Sequence, residues 1–173
     1  MATWLLLLRA HDERLLHALI LRRGRLTDRL MRGVSHLGDA VTTIGTVAIL
    51  CLGVVPKLQA SGAFAAITLV SSHLGVQLLK RTIDRPRPRM PVGYASLVHA
   101  PDRFSFPSGH AAASLSVAIG IAIALPMPAG GAIIALATLV GVSRCYLGMH
   151  YPGDVLAGWL LAISGAWLAA LAL

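Results

Sequence analysis

SRCYLGMHYPGD, residues 143–154, puts an arginine, a histidine and an aspartate within twelve residues, between two long apolar runs. Such side chains are costly in hydrocarbon. Near membrane depth they face a protein interior or a water-filled site and mark function. The flanking runs, 129–147 and 154–173, each approach the roughly 20 residues that span a bilayer as a helix. Three further apolar segments precede them, at 34–55, 61–79 and 108–125. Backbone groups in lipid must be satisfied within the segment, so helices are the default. The fold expected is an all-α integral-membrane bundle of about five transmembrane helices. Pro56, Pro126 and Pro128 mark short turns, which make their flanking helices antiparallel. Abundant Ala, Gly and Ser in the third and fourth segments permit close helix approach.

Composition agrees. The chain has 173 residues, 56% hydrophobic and 13% charged, with mean hydropathy +0.74. Soluble domains are about half apolar and about a quarter charged. The length suits one domain. A net charge of +8 suits anionic lipid or an anionic substrate. Nucleic acid is not the expected partner, because the charge flanks apolar runs and aromatics for stacking are few. Cys51 and Cys145 form no CxxC pattern, and their segments place them at opposite ends, so two free thiols are expected. TWLLLL runs into RAHDER with no small-residue cleavage site, so no cleavable signal peptide is expected.

Residues 1–32 are too charged to span easily. They read as an N-terminal amphipathic, interfacial segment with Leu5, Leu8, Leu15, Leu16 and Leu19 toward lipid, the alternative being a helix that caps the bundle. The membrane-embedded domain is then 33–173. Within it, 80–107 (KRTIDRPRPRMPVGYASLVHAPDRFSFP) holds five prolines and is a long functional loop rather than a span.

Antiparallel packing brings the ends of segments two and four and the starts of three and five to one membrane face. Lys80, Ser108, His110, Arg144, His150 and Asp154 converge there. Singly, each has a structural reading as a lipid anchor or helix cap; together they make a site. Lys80, Arg87 and Arg144 suit a phosphate, which Arg binds bidentately and Lys as a point charge. PSGH opens a helix, with Pro107 in its first turn and the N–H groups of Ser108 and Gly109 directed at an anion. Asp154, four residues after His150, reaches back to one ring nitrogen and leaves the other to attack. His110 is the proton donor for a leaving oxygen. The sequence has no carboxylate cluster of the kind a two-metal phosphatase uses. The pattern argues for metal-free phosphoryl transfer through a phosphohistidine, with no cofactor.

Of the remaining polar groups, His36 and Asp39 lie near the mouth and either serve it or cap a helix. His73 and Gln77 suit hydrogen bonding between helices. Asp84 should pair with an arginine. His99, Asp102 and Arg103 lie where a head group would pass.

KRTIDRPRP at 80–88, PSGH at 107–110 and SRCYLGMHYPGD at 143–154 together resemble the KxxxxxxRP, PSGH and SRxxxxxHxxxD motifs of the type-2 phosphatidic acid phosphatase superfamily. The likeness covers about 36–173. It implies a helical bundle with His150 as nucleophile, Asp154 orienting it and His110 as general acid. Lys80, Arg87, Ser108, Gly109 and Arg144 would hold the phosphate. The implied substrate is a lipid phosphate or diphosphate such as phosphatidate, phosphatidylglycerophosphate or a polyprenyl diphosphate. A vanadium-dependent haloperoxidase, which shares this anion cradle, and a non-catalytic lipid-phosphate binder are the alternatives. Many relatives have six spans, whereas residues 1–32 stand here in place of a first one. All Lys and Arg except Lys57 lie on the mouth side, so the positive-inside rule points the mouth to the cytoplasm. The family resemblance points it to the periplasm or exterior. Phosphate binding accounts for part of that charge, so the expectation follows the family, with the C-terminus in the cytoplasm.

Overall fold

The computed structural model describes residues 2–100 and 102–173, with the side chains of residues 2–8 excepted; the expected lipid contacts of Leu5 and Leu8 lie outside the described residues. The helices are α1 (Ala2–Ile20), α2 (Arg25–His36), α3 (Ala40–Cys51), α4 (Gln59–Ile83), α5 (Gly109–Ala122), α6 (Met127–Tyr146) and α7 (Pro152–Ala172). Among the described residues there is no strand, only a lone bridge between Pro86 and Phe104.

Among the described residues three helices, α4, α6 and α7, are long and apolar enough to cross a membrane. A fourth crossing is available to α2 and α3 together, which bend by 47° at residues 37–39. The expected span at 34–55 is therefore an elbow, because Asp39 takes an extended N-cap conformation and starts a new helix. The expected third span is only 14 residues long in α5, about 21 Å at 1.5 Å per residue. Pro107 lies outside α5, before its N-cap Ser108, and not in its first turn.

The bundle is built with small residues inside and large ones outside. On α4, Gly62, Ala65, Thr68 and Ser72 are buried, while Val70, Leu74 and Leu78 are exposed. Leu156, Leu160 and Trp167 are likewise exposed on α7, whereas Gly158, Ala162 and Gly165 are buried. Outward aliphatics suit lipid, and inward small residues let backbones approach. The helices α4, α5 and α7 pack mutually, with α6 against α5, and Ser72 and Ser116 share a 2.9 Å hydrogen bond across α4 and α5.

The N-terminal segment forms α1 and the start of α2, separated by residues 21–24. Leu16 and Ile20 are fully buried, in a cluster with Ala111, Cys145, Tyr151 and Val155. Leu16 therefore packs against protein, while Leu15 is exposed. Arg23 fixes the turn after α1, donating to the carbonyls of Tyr146 and Ala95. Cys51 is exposed, Cys145 is buried, and both are free.

Candidate active site

The four helix ends meet as the antiparallel arrangement requires. Lys80 stands near the end of α4, Ser108 to His110 open α5, Arg144 closes α6, and His150 and Asp154 flank the start of α7. The 84–108 connection folds over them, its Ser105 amide donating to Arg85 at 2.8 Å.

His150 is 3% exposed. Its Nδ1 lies 2.6 Å from the Ser105 carbonyl. A carbonyl only accepts, so Nδ1 carries the proton and Nε2 keeps its lone pair. Burial pushes its pKa below the usual 6.5, the nearby Asp154 opposing and Arg144 adding to the shift. Asp154 does not make the direct bond expected: its Oδ2 is 3.8 Å from Nδ1. Pro152 begins α7, which makes Asp154 the third residue of that helix, and Oδ2 instead takes the Tyr151 amide at 2.8 Å, as in a capping box. Oδ2 also accepts from the Ser105 hydroxyl. Asp154 is thus linked to His150 through Ser105, whose hydroxyl it accepts from and whose carbonyl faces Nδ1.

Arg85, passed over in the sequence reading, holds the other carboxylate oxygen. Its Nη1 is 2.7 Å from Asp154 Oδ1, and its Nη2 is 2.8 Å from Asp12 Oδ2 on α1. The guanidinium lies over the Tyr151 ring at 4.1 Å. Burial lowers the Arg85 pKa, but Asp154 and Asp12 outweigh it and the net shift is upward. The only sequence signal for Arg85 was its place inside KRTIDRPRP; Asp12 and Ser105 carried none.

Lys80 and Arg87 converge on Asp102. Lys80 Nζ is 2.6 Å from its Oδ2 and Arg87 Nη2 is 2.8 Å from its Oδ1. Arg87 also donates to the Asp102 and Met149 carbonyls, each at 2.9 Å. Burial works to raise the Asp102 pKa, yet the Lys80 hydrogen bond and both cationic charges bring it below the usual carboxylate value. Arg87 has five N–H donors and uses three here, and Lys80 uses one of three, so both retain donors for an anion.

Arg144 is buried and donates to Ser35 Oγ at 2.7 Å, while its Nε has no partner among the described residues. A buried guanidinium N–H without an acceptor is unfavourable, and a bound anion would supply one. Gly109 is open: a Cβ there would approach no atom nearer than Val76 Cγ1 at 3.8 Å, so packing does not explain the glycine. The Ser108 amide departs from expectation, being spent on the Asp154 carbonyl at 2.9 Å. Its hydroxyl caps α5 through the Ala111 amide. Ser108 therefore couples α5 to α7, and the donors left at the start of α5 are the amides of Gly109 and His110. His110 Nε2 is 2.8 Å from Asp39 Oδ1.

Other expectations resolve locally. His73 and Gln77 bond each other along α4 at 3.2 Å, not across helices. Asp84 pairs with Arg103 at 3.5 Å, and His99 is exposed in the loop. An apolar cavity of about 350 Å³ lies among α3, α4 and α5, walled by Ile44, Leu69, Val70 and Leu74 together with Lys80 and His110.

A family model described as the PAP2 superfamily matches residues 61–173. The chain is 34% identical over 143 residues to the decaprenylphosphoryl-5-phosphoribose phosphatase of Mycobacterium tuberculosis, covering 82% of this chain and 76% of that one. It is 32% identical over 163 residues to phosphatidylglycerophosphatase B of Bacillus subtilis, covering 88% and 78%. The crystal structure of a transmembrane PAP2-type phosphatidylglycerolphosphate phosphatase from Bacillus subtilis matches with a TM-score of 0.80 at 30% identity, covering 94% of this chain and 84% of that chain.

Proposed function

Because this chain belongs to the PAP2 superfamily, and is with it a membrane phosphate ester hydrolase, we propose that it cleaves a lipid phosphate or diphosphate through a phosphohistidine on His150. The observation that carries this is the geometry of His150: a buried, neutral ring with Nδ1 donated to Ser105 and Nε2 unengaged. Beside it stands a buried arginine whose Nε lacks an acceptor.

In the first step Nε2 attacks phosphorus, the bond to the leaving oxygen breaks, and His110 gives that oxygen a proton. In the second, water attacks the phosphohistidine, the P–N bond breaks, and His110 takes a proton from the water. Arg144, Lys80, Arg87 and the amides at the start of α5 neutralise the charge that builds on the equatorial oxygens. Ser108 holds α5 in register with α7 rather than offering its own amide. The cation-rich donor set is suited to the phosphate itself, without a metal.

An amphiphile fits the surroundings. The apolar cavity shares Lys80 and His110 with the site, so a tail among α3, α4 and α5 would bring its phosphate to the catalytic groups. Phosphatidate, phosphatidylglycerophosphate and polyprenyl diphosphates all have this form, and the relatives' names span phosphatidylglycerophosphate, lipid A and undecaprenyl diphosphate. The test is phosphate release by the purified protein from a panel of these lipids with chelator present. Wild type should turn over at least one and His150→Ala none; full activity in His150→Ala, or strict dependence on a divalent ion, would refute the mechanism.

The site is assigned to the periplasmic or outer face, with the C-terminus in the cytoplasm. A C-terminal fluorescent protein fusion should be bright and an alkaline phosphatase fusion silent; the opposite pattern would place the mouth inside.

A further inference from the structure

Asp39 occupies the N-cap of α3 with the extended backbone of a capping residue, at φ −68° and ψ 152°, yet its side chain makes no capping bond. Aspartate at this position normally accepts from an amide of the first turn. Here both oxygens go to histidines instead: Oδ2 lies 2.7 Å from His36 Nδ1 and Oδ1 lies 2.8 Å from His110 Nε2. A role confined to starting α3 would leave that pattern without a cause.

The backbone is shaped for the contact. A Cβ on Gly38 would stand 3.1 Å from both the Cβ and the carbonyl of His110, and 2.8 Å from Val140 Cγ1. Glycine is thus what lets the α2–α3 elbow close on His110. The same elbow carries Ser35, which accepts from Arg144. One turn of chain, formed where the first apolar segment bends, touches both the acid and a phosphate-binding cation.

The charges around His110 make a carboxylate necessary. Lys80 from α4 shares its cavity wall. Arg144 from α6 and His150 from the α6–α7 connection act on it electrostatically. Asp154, at the start of α7, is committed to Arg85, Ser105 and the Tyr151 amide. Among the described residues, Asp39 is the carboxylate in contact with the ring. Burial and the neighbouring cations disfavour a second proton on the ring, and Asp39 opposes them.

We propose that Asp39, anchored by His36, is the positioning carboxylate of the general acid: it holds the His110 ring through Nε2–H and so presents Nδ1–H to the leaving oxygen. This rests on the phosphatase reading above. As the P–O bond breaks, the Nδ1 proton passes to the leaving oxygen while Nε2–H stays on Asp39. Water attacking the phosphohistidine then returns a proton to Nδ1, so the cycle closes with no net change in the enzyme.

The experiment separates substrates by leaving group. An alkyl phosphate such as phosphatidate needs its leaving oxygen protonated, whereas p-nitrophenyl phosphate does not. Both are assayed with wild type, Asp39→Asn and Asp39→Glu, reading kcat/KM, which reports the step that expels the leaving group. Asp39→Asn should lose at least ~10-fold on phosphatidate and at least about threefold less on the aryl ester, with its alkaline limb moved to lower pH. Asp39→Glu should recover part of the loss. Equal losses on both esters, or none, overturn the proposal. A wild type inert toward the aryl ester and toward every lipid of the panel above overturns the phosphatase reading instead. The ring itself gives a check that needs no variant of Asp39. In histidine-labelled wild type, with His110 assigned by its absence in His110→Gln, the neutral ring should be the Nε2–H tautomer; finding Nδ1–H overturns the assignment whatever the variants do.

Discussion

Replacing Arg85 with Met keeps the bulk of the side chain and removes its charge. Two carboxylates then lose a partner: Asp154, which is 0% exposed, and Asp12, whose pairing with Arg85 leaves both side chains below a fifth exposed. Removing one member of a fully buried pair costs about 3–5 kcal/mol. Asp154 keeps the Ser105 hydroxyl and the Tyr151 amide, and Asp12 keeps the Gly153 amide at 2.8 Å, which argues for the lower end. Loss of the Arg85 stack on Tyr151 adds about 0.5–1 kcal/mol. A destabilisation of about 3.5–4 kcal/mol follows, on the order of a 500-fold change in the folding equilibrium. Because Ser105 ties Asp154 to His150, kcat/KM should also fall about tenfold, a fraction of the loss that follows when an orienting carboxylate is itself neutralised. Unfolding in detergent is measured for wild type, Arg85→Met, Asp12→Asn and the double variant. The cycle should give a coupling of about 1 kcal/mol or more between Asp12 and Arg85. Wild-type stability and turnover in Arg85→Met, or a coupling indistinguishable from zero, would refute the network and with it the idea that α1 braces the catalytic motif.

Arg144→Lys should not rescue function: the unpartnered Nε and the planar fork are both lost, and kcat/KM should fall roughly 10²-fold, as measured on whichever lipid phosphate the panel identifies. The pH dependence of stability has a defined sign. Burial holds His150 below 6.5 in the folded protein while the unfolded ring protonates near 6.5, so the unfolded state takes up the extra proton and stability falls as pH drops below 6.5. The slope contribution approaches ~1.4 kcal/mol per pH unit. Asp102, depressed from 3.8, stays charged in both states above about pH 5 and adds no slope there. Denaturant unfolding between pH 6.5 and 5 should therefore be flatter in His150→Gln than in wild type; equal slopes would contradict a neutral buried His150.

The residues that converge at the mouth were legible in the sequence, because apolar runs of near-bilayer length force antiparallel helices, and antiparallel helices put alternate ends on one face. Lys80, His110, Arg144 and Asp154 all sit at such ends. The spacing of SRCYLGMHYPGD also fixed that His150 and Asp154 would be close. It could not say which oxygen would face which nitrogen. Pro152 starts α7 between them, so His150 lies outside the helix and the Asp154 carboxylate turns to the Tyr151 amide, Ser105 and Arg85. The partners of these side chains were decided in three dimensions only. Asp12, Asp39 and Asp102 come from α1, the α2–α3 elbow and the long connection, and their reach depends on bends and loop paths that hydrophobic periodicity does not encode. The elbow itself is the plainest case: residues 34–55 read as one apolar span, yet the chain bends by 47° where Asp39 takes an extended N-cap conformation and Gly38 lies against His110.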